Sequence, residues 1–367
     1  MSPFPESDAL HARARAFVAA FERGAPMPEP FDALACDLAR FQAEHVKHYA
    51  RLCAARGVDP ARLERATDAP CVPTDAFKLV RVATFPPEDA RATFLTSGTT
   101  IGQRGRHELR TTDTYDAAAL AFGRRALFAK LPTTPEVLAL SPSPREAPES
   151  SLVHMIERFR VALGAEPTAD AYVIEGGVID LGRFDERVAF AASRGRPVVV
   201  LATSFALVHL LDALGSDLFR LPPASRVMQT GGFKGKSREV SADVLRRDVA
   251  RAFCVPEHDI VGEYGMTELS SQFWETTAQD EAASHGVWTE PPWARVVPVD
   301  PETLAPVPDG EVGLARIEDL CNVDSAFAVL ARDRVRRVPG GFELLGREPG
   351  AAPRGCSIAI DEMLGGS

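Results

Sequence analysis

Between Val137 and Tyr264 the chain alternates short apolar runs of β type with longer amphipathic stretches, and this alternation constrains the fold more than any other feature. The runs are VLAL at 137–140, AYVI at 171–174, VVVL at 198–201, RVMQ at 226–229 and DIVGEY at 259–264. Helical spacing fills the intervals near 114–130, 150–163, 183–194, 204–214 and 238–253. Strand and helix taking turns in this way predict an α/β fold with a helix-covered, at least partly parallel sheet. From about Ser7 to Arg65 the period is helical instead: Leu10, Phe17, Phe21, Phe31, Leu34, Leu38, Phe41, Val46 and Leu52 recur roughly every three or four residues among charges. After Trp288 prolines thicken, and GEVGLARIEDL and GGFELLGR read as hairpins and short strands. No repeat of fixed period is visible.

At 367 residues, 45% hydrophobic and 25% charged, the chain is long enough for a large core and too balanced for a disordered or fibrous class. The net charge of -10 argues against nucleic acid as a partner. Six cysteines without a CxxC pair or zinc-type spacing suggest a reducing compartment, with Cys71, Cys254 and Cys321 expected in the core. The start MSPFPESDAL is no secretion signal and no eighteen apolar residues run together, so a cytoplasmic protein without a membrane span is expected.

Three segments carry chemistry. Thr96-Ser97-Gly98-Thr99-Thr100-Ile101-Gly102 packs four hydroxyls and two glycines into seven residues, followed by Arg104 and Arg106. Glycine lets successive N–H groups point one way, so this reads as an anion cradle, with a polar hairpin turn as the plain alternative. Thr230-Gly231-Gly232-Phe233-Lys234-Gly235-Lys236-Ser237 nearly spells a P-loop but has Thr230 where the first glycine is needed, so it is a different nucleotide-contacting turn or a mere strand-to-helix connection. Gly262-Glu263-Tyr264-Gly265-Met266-Thr267-Glu268 ends a strand on a hydroxyl beside a carboxylate, which suits magnesium on phosphate oxygens. A helix-capping Thr267 with Glu268 in the first helical turn would look the same.

In this order the three segments resemble the adenylate-forming superfamily. The resemblance implies that Thr96, Ser97, Gly98, Thr99, Thr100 and Gly102 hold the ATP phosphates, that Gly231, Gly232, Tyr264, Gly265 and Thr267 bind nucleotide, and that Glu268 binds magnesium. Asp333 in LARDRV resembles the ribose-gripping aspartate, and Gly346-Arg347 the Gly-Arg before the interdomain hinge. Within the superfamily the chain is most similar to the acyl-protein synthetases of the bacterial luminescence type (LuxE-like), near the phenylacetate-CoA ligases. Cys71-Val72-Pro73-Thr74-Asp75-Ala76-Phe77-Lys78, Gly231-Gly232-Phe233-Lys234 and Arg354-Gly355-Cys356-Ser357 carry that likeness, the last as an acyl-accepting cysteine.

The resemblance implies layered sheets with helices like the superfamily's N-terminal domain, organised as a helical region 1–68, an adenylate-forming core 69–345 and a short tail 346–367. The sequence stops twenty residues after Arg347, so a truncated C-terminal swinging domain is expected, with Lys234 or Lys236 substituting for the lysine that domain would bring. Cys356 lies among Gly350, Pro353 and Gly355, which reads as a mobile, locally basic tail favouring the thiolate. The implied function is MgATP-dependent activation of a carboxylic acid, a fatty acid by family likeness, to acyl-AMP, with transfer to a protein thiol such as Cys356. A reductase or carrier protein would then take the acyl group. Two alternatives stay open: a ligase using an external thiol of CoA or a carrier protein, and an inactive nucleotide-binding scaffold subunit.

Overall fold

The structure, a computed structural model, describes residues 2–96, 104–163, 171–215, 217–230, 240–350 and 353–365. Contacts divide the chain into two compact units: one holds Met1–Ala121, Met266–Gln272 and Thr289–Ser367, the other Phe122–Gly265 and Phe273–Trp288.

In the second unit, Glu136–Leu140, Val198–Thr203, Arg226–Thr230 and Ile260–Tyr264 lie parallel in that order, with Phe273–Trp274 antiparallel at the edge. Leu138, Val200, Val227 and Ile260 from the strands pack with Phe184, Leu207, Val249 and Phe253 from the helices in one core. Each covering helix begins on a residue that satisfies an otherwise orphaned amide: Ser150, Asp180, Thr203 and Ser241 accept from Val153, Arg183, Ala206 and Val244. The expected strands at 137, 198, 226 and 259 are therefore present. Residues 171–174 differ, because they touch the sheet by a single bridge, Tyr172 to Ala139, before the chain turns at Gly176 and Gly177, both at positive φ.

The first unit opens with helices Pro5–Arg23, Phe31–His45 and Lys47–Ala55, whose apolar stripes bury Leu10, Phe17, Leu34, Leu38 and Leu52. Its main sheet is antiparallel, Ala294–Val299, Val312–Asp319, Ala328–Val338 and Gly341–Arg347, and Val72–Pro73 adds in parallel to the start of Ala328–Val338. A separate hairpin pairs Ala92–Leu95 with Arg106–Leu109. Polar keys lock the helices to the rest. Asp324 accepts from Ser7 Oγ at 2.6 Å, Thr84 Oγ1 at 2.9 Å and Arg110 Nε at 3.2 Å, and faces His11 Nε2 at 2.9 Å. Gln42 donates to the carbonyls of Asn322 and Val323 and accepts from the Phe327 amide.

The C-terminal segment is not the mobile tail expected from its glycines and prolines. Arg354–Leu364 is a helix that buries Cys356, Ala359 and Met363, a stripe at helical spacing that the composition masks. It seats on the helix Lys47–Ala55 and the residue after it: Glu362 pairs with Arg56 at 2.6 Å, His48 Nδ1 meets the Met363 carbonyl at 3.0 Å, and Arg51 donates to the Leu364 carbonyl at 3.3 Å. The Arg51 cation on the Leu364 carbonyl suits the negative end of the helix dipole. Among the described residues, no helix is long and apolar enough to cross a membrane.

Gly313 tests the sheet packing, since a Cβ there would stand 2.6 Å and 2.7 Å from the backbone N and O of Val299, which cannot step aside. Gly313→Ala is expected to cost about 1–3 kcal/mol, read as a lower denaturant midpoint. An unchanged midpoint would contradict this packing.

Candidate functional site

In the first unit the hairpin is closed at its base. The Thr96 amide donates to the Gly105 carbonyl at 2.9 Å, the Gly105 amide returns to Thr96 Oγ1 at 2.8 Å, and Arg104 Nε donates to the Thr96 carbonyl at 2.7 Å. A Cβ on Gly105 would meet Thr96 Cγ2 at 2.9 Å, so glycine lets the two strands approach. The ends of the hydroxyl-rich loop are thereby fixed, while Ser97, Gly98, Thr99, Thr100 and Gly102 lie outside the described residues. The Cys71–Lys78 segment borders this base: the Phe77 ring meets His107 edge to face at 6.0 Å, and Lys78 pairs with Asp75 at 2.6 Å. Glu108 draws in two cations, Arg81 at 2.7 Å and Arg106 at 3.2 Å.

Residues Met266–Gln272 are held by three buried polar side chains from elsewhere in the same unit. His107 Nδ1 donates to the Thr267 carbonyl at 2.7 Å, and Asn322 Nδ2 donates to the Glu268 carbonyl at 2.9 Å. Asp319 accepts the Ser270 amide at 2.9 Å and the Ser271 hydroxyl at 2.7 Å. Burial pushes the Asp319 carboxyl up to about 6 and the His107 imidazole down to about 4, so at neutral pH His107 carries no charge. Thr267 and Glu268 form a turn with no helix after it, which removes the helix-capping alternative. Thr267 is half-buried and Glu268 buried.

Asp333 and Arg347 face each other across the paired strands Ala328–Val338 and Gly341–Arg347, with Nε 3.4 Å from Oδ1. The guanidinium is 64% exposed and the carboxylate 20%, so both can still reach a ligand.

In the second unit, Thr230 and Glu263 are register partners at the carboxyl ends of adjacent parallel strands, the position where open α/β sheets take ligands. The Thr230 hydroxyl donates to Glu263 Oε2, and burial pushes the Glu263 carboxyl up to about 7. Tyr264 is buried, its ring 6.0 Å from Phe273 on the edge strand, and Gly265 follows half-buried. Behind them Glu275 accepts the Gly262 amide at 2.7 Å and both 2.7 Å and 2.9 Å bonds from Arg246 Nη2. A Cβ on Gly262 would stand 2.8 Å from Glu275 Cδ, so glycine admits this buckle. Gly231, Gly232, Lys234 and Lys236 lie outside the described residues.

Cys356 sits in the first turn of the C-terminal helix, 2% exposed, and burial pushes its thiol up to about 11. The setting is thus the reverse of a thiolate-favouring tail. Cys71 and Cys321 are buried as expected, whereas Cys254 is exposed, because it caps the helix Ala242–Phe253 in the left-handed conformation instead of lying inside it. His107, Asn322, Asp319 and Glu263 are the side chains that motif spacing does not single out as functional. Only Glu263, inside the quoted Gly-Glu-Tyr-Gly run, had a sequence signal.

The sequence model of the LuxE acyl-protein synthetase family matches residues 8–365. Among solved structures the chain is similar to 2-hydroxyisobutyryl-CoA ligase in complex with 2-HIB-AMP and CoA. It has 15% identity and a TM-score of 0.58 to the thioesterification state, over 95% of this chain and 69% of that one. For the open conformation the values are 14% and 0.57, over 86% and 74%. ATP-bound MatB from Rhodopseudomonas palustris is similar at 17% identity and a TM-score of 0.51, over 72% of this chain, which spans about half, 49%, of that one. These likenesses establish the fold of adenylate-forming ligases.

Glu263 gives the site a pH signature. Its folded pKa of about 7 stands above the ordinary 4.5, so its protonated form is the one folding favours. That contribution is complete below about 4.5 and is lost as pH rises through about 7, at most ~3 kcal/mol. Glu263→Gln should flatten the fall in urea midpoint between these pH values relative to the parent; an identical fall in both proteins would contradict the burial of this carboxyl.

Proposed function

The chain belongs to the LuxE family of acyl-protein synthetases, and from that premise we propose that it activates a carboxylic acid with ATP and passes the acyl group to a thiol. The observation that carries this reading is the His107 hydrogen bond, which ties the base of the hydroxyl-rich hairpin to the Thr267–Glu268 turn. Two motifs separated by some 160 residues are thereby parts of one assembly.

In the first half-reaction the acid's carboxylate oxygen attacks the α-phosphorus of ATP and pyrophosphate leaves. In the second, a thiolate attacks the acyl carbon of acyl-AMP and AMP leaves. The protein's part is placement and charge neutralisation. Thr96, Ser97, Gly98, Thr99, Thr100 and Gly102 would offer amides and hydroxyls to the phosphates, and Lys234 a positive charge. Gly231, Gly232, Tyr264, Gly265 and Thr267 would flank the nucleotide, with Asp333 on the ribose hydroxyls and Arg347 beside it. Glu268 would hold Mg2+, which supplies charge neutralisation on the phosphate oxygens when bound. A buried carboxylate next to a hydroxyl fits an ion that takes one or two carboxylates and completes its shell with phosphate and water.

The acid is proposed to be fatty, and the first acceptor Cys356. For that transfer the C-terminal helix must leave its seat, since the thiol is enclosed and protonated at neutral pH. The same burial favours a second reading in which the acceptor is an external thiol, of CoA or a carrier protein, and Cys356 is structural.

Glu268→Gln is expected to lower acid-dependent pyrophosphate exchange about a hundredfold or more with the fold intact by circular dichroism. Exchange at the parent rate would remove Glu268 from the site. Cys356→Ser should keep exchange but lose the hydroxylamine-labile acyl mass seen by intact mass spectrometry after incubation with MgATP and acid. If the parent gains no such mass while exchanging pyrophosphate, the external-thiol reading replaces self-acylation. Products of ADP and orthophosphate would overturn adenylation altogether.

A further inference from the structure

His107, Asn322 and Ser270 are 0%, 1% and 1% exposed, and all three line one small cavity of about 10 Å³. Each has one buried side-chain atom with no hydrogen-bond partner among the described residues: His107 Nε2, Asn322 Oδ1 and Ser270 Oγ. Such atoms are uncommon in a folded protein, and three around one cavity indicate a shared ligand.

The protons on these groups are dictated by their other bonds. His107 Nδ1 faces the Thr267 carbonyl, which can only accept, so the hydrogen of the neutral ring is on Nδ1 and Nε2 presents a lone pair. Asn322 Nδ2 spends its two hydrogens on the carbonyls of Glu268, at 2.9 Å, and Ala326, at 3.0 Å, so Oδ1 is an acceptor. Ser270 Oγ has a hydroxyl hydrogen to give. The complement is a guest with two donors and one acceptor in a space of one water molecule. An anion would face two lone pairs and the Asp324 carboxylate; a cation would find that carboxylate, the acidic group on the cavity wall, already engaged by Arg110, His11, Ser7 and Thr84; and an apolar guest would satisfy none of the three atoms.

We propose that one internal water molecule donates to His107 Nε2 and Asn322 Oδ1, accepts from Ser270 Oγ, and makes these residues a single frame that positions the Thr267–Glu268 turn. The three protein residues already hold or belong to that segment, through the Thr267 carbonyl, the Glu268 carbonyl and the Ser270 amide on Asp319. The water closes the frame from beneath. His107, Asn322 and Ser270 are on this account positioning residues. Their kinetic effect rests on the proposed role of Glu268 in adenylation, whereas the water site itself does not.

The test uses the full chain. A high-resolution crystal structure should show solvent density within hydrogen-bonding distance of all three atoms; a dry cavity overturns the proposal. Ser270→Ala removes the donor with the least change of volume and leaves the amide bond to Asp319 available. It should displace the Thr267–Glu268 turn in the crystal and raise KM for MgATP in pyrophosphate exchange several-fold, with kcat changed less than twofold. An undisplaced turn and an unchanged KM overturn the positioning role even if the water is seen. If the unaltered protein shows no exchange with any acid, it is the adenylation reading that has failed, and the density together with the position of the turn in Ser270→Ala decides the frame.

Discussion

A peptide carbonyl removed from water must find a donor, and at Thr267 the donor comes from a histidine far away in sequence. That single requirement sets much of the first unit. The strand Arg106–Leu109 that carries His107 is paired with Ala92–Leu95, and the same hairpin is closed at Thr96 and Gly105. As a neutral ring His107 donates only with its hydrogen on Nδ1, and burial that pushes the imidazole down to about 4 keeps the ring neutral. The closed base of the hairpin and the Thr-Glu turn are therefore tied by the same part-buried bond.

Around that bond the structure repeats one device, a polar side chain placed under a backbone segment that has no regular partner. Asp319 holds the Ser270 amide, Asn322 the Glu268 carbonyl, and Gln42 the carbonyls of Asn322 and Val323. Irregular backbone cannot satisfy itself as helices and strands do, so it needs such grips when it is buried. In the second unit Glu275 does the same for the Gly262 amide beneath Tyr264. Nucleotide-type motifs sit on turns and strand ends, and rigid turns are what these grips provide.

The sequence shows what is local and hides what is not. The parallel strands were legible because a β-branched run followed by a capped amphipathic stretch depends on neighbours a few residues apart, as at Val198–Thr203 and Ser204–Leu214. The strand end and turn of the Tyr-Gly-Met-Thr-Glu segment are local in the same way, while residues 97–103 lie outside the described residues. His107 and Asn322 were not legible, because a histidine next to a glutamate and an asparagine after a cysteine look ordinary until the fold brings them to Thr267 and Glu268. The segment 171–174 has strand composition but a pair of glycines cuts it short. In the C-terminal segment, glycine and proline content outweighed a stripe of Cys356, Ala359 and Met363 that only helical spacing reveals.

That stripe bears directly on how Cys356 would react. A nucleophilic thiol needs access and a thiolate, and the docked helix denies both. The helix Arg354–Leu364 has 11 residues, below the ~12–15 at which an isolated helix becomes even marginal in water. It is therefore helical because it is docked, through the Arg56–Glu362 pair, the capped carbonyls of Met363 and Leu364, and the buried stripe. On the self-acylation reading, undocking and unwinding are one event, and the product is an extended segment whose thiol returns toward its ordinary pKa of about 8.5. A single equilibrium would then control both reach and reactivity of Cys356. The thiol would be unreactive while seated and competent once released, so the strength of the whole seat, buried stripe, capped carbonyls and Arg56–Glu362 pair together, would set how often the acyl acceptor is presented.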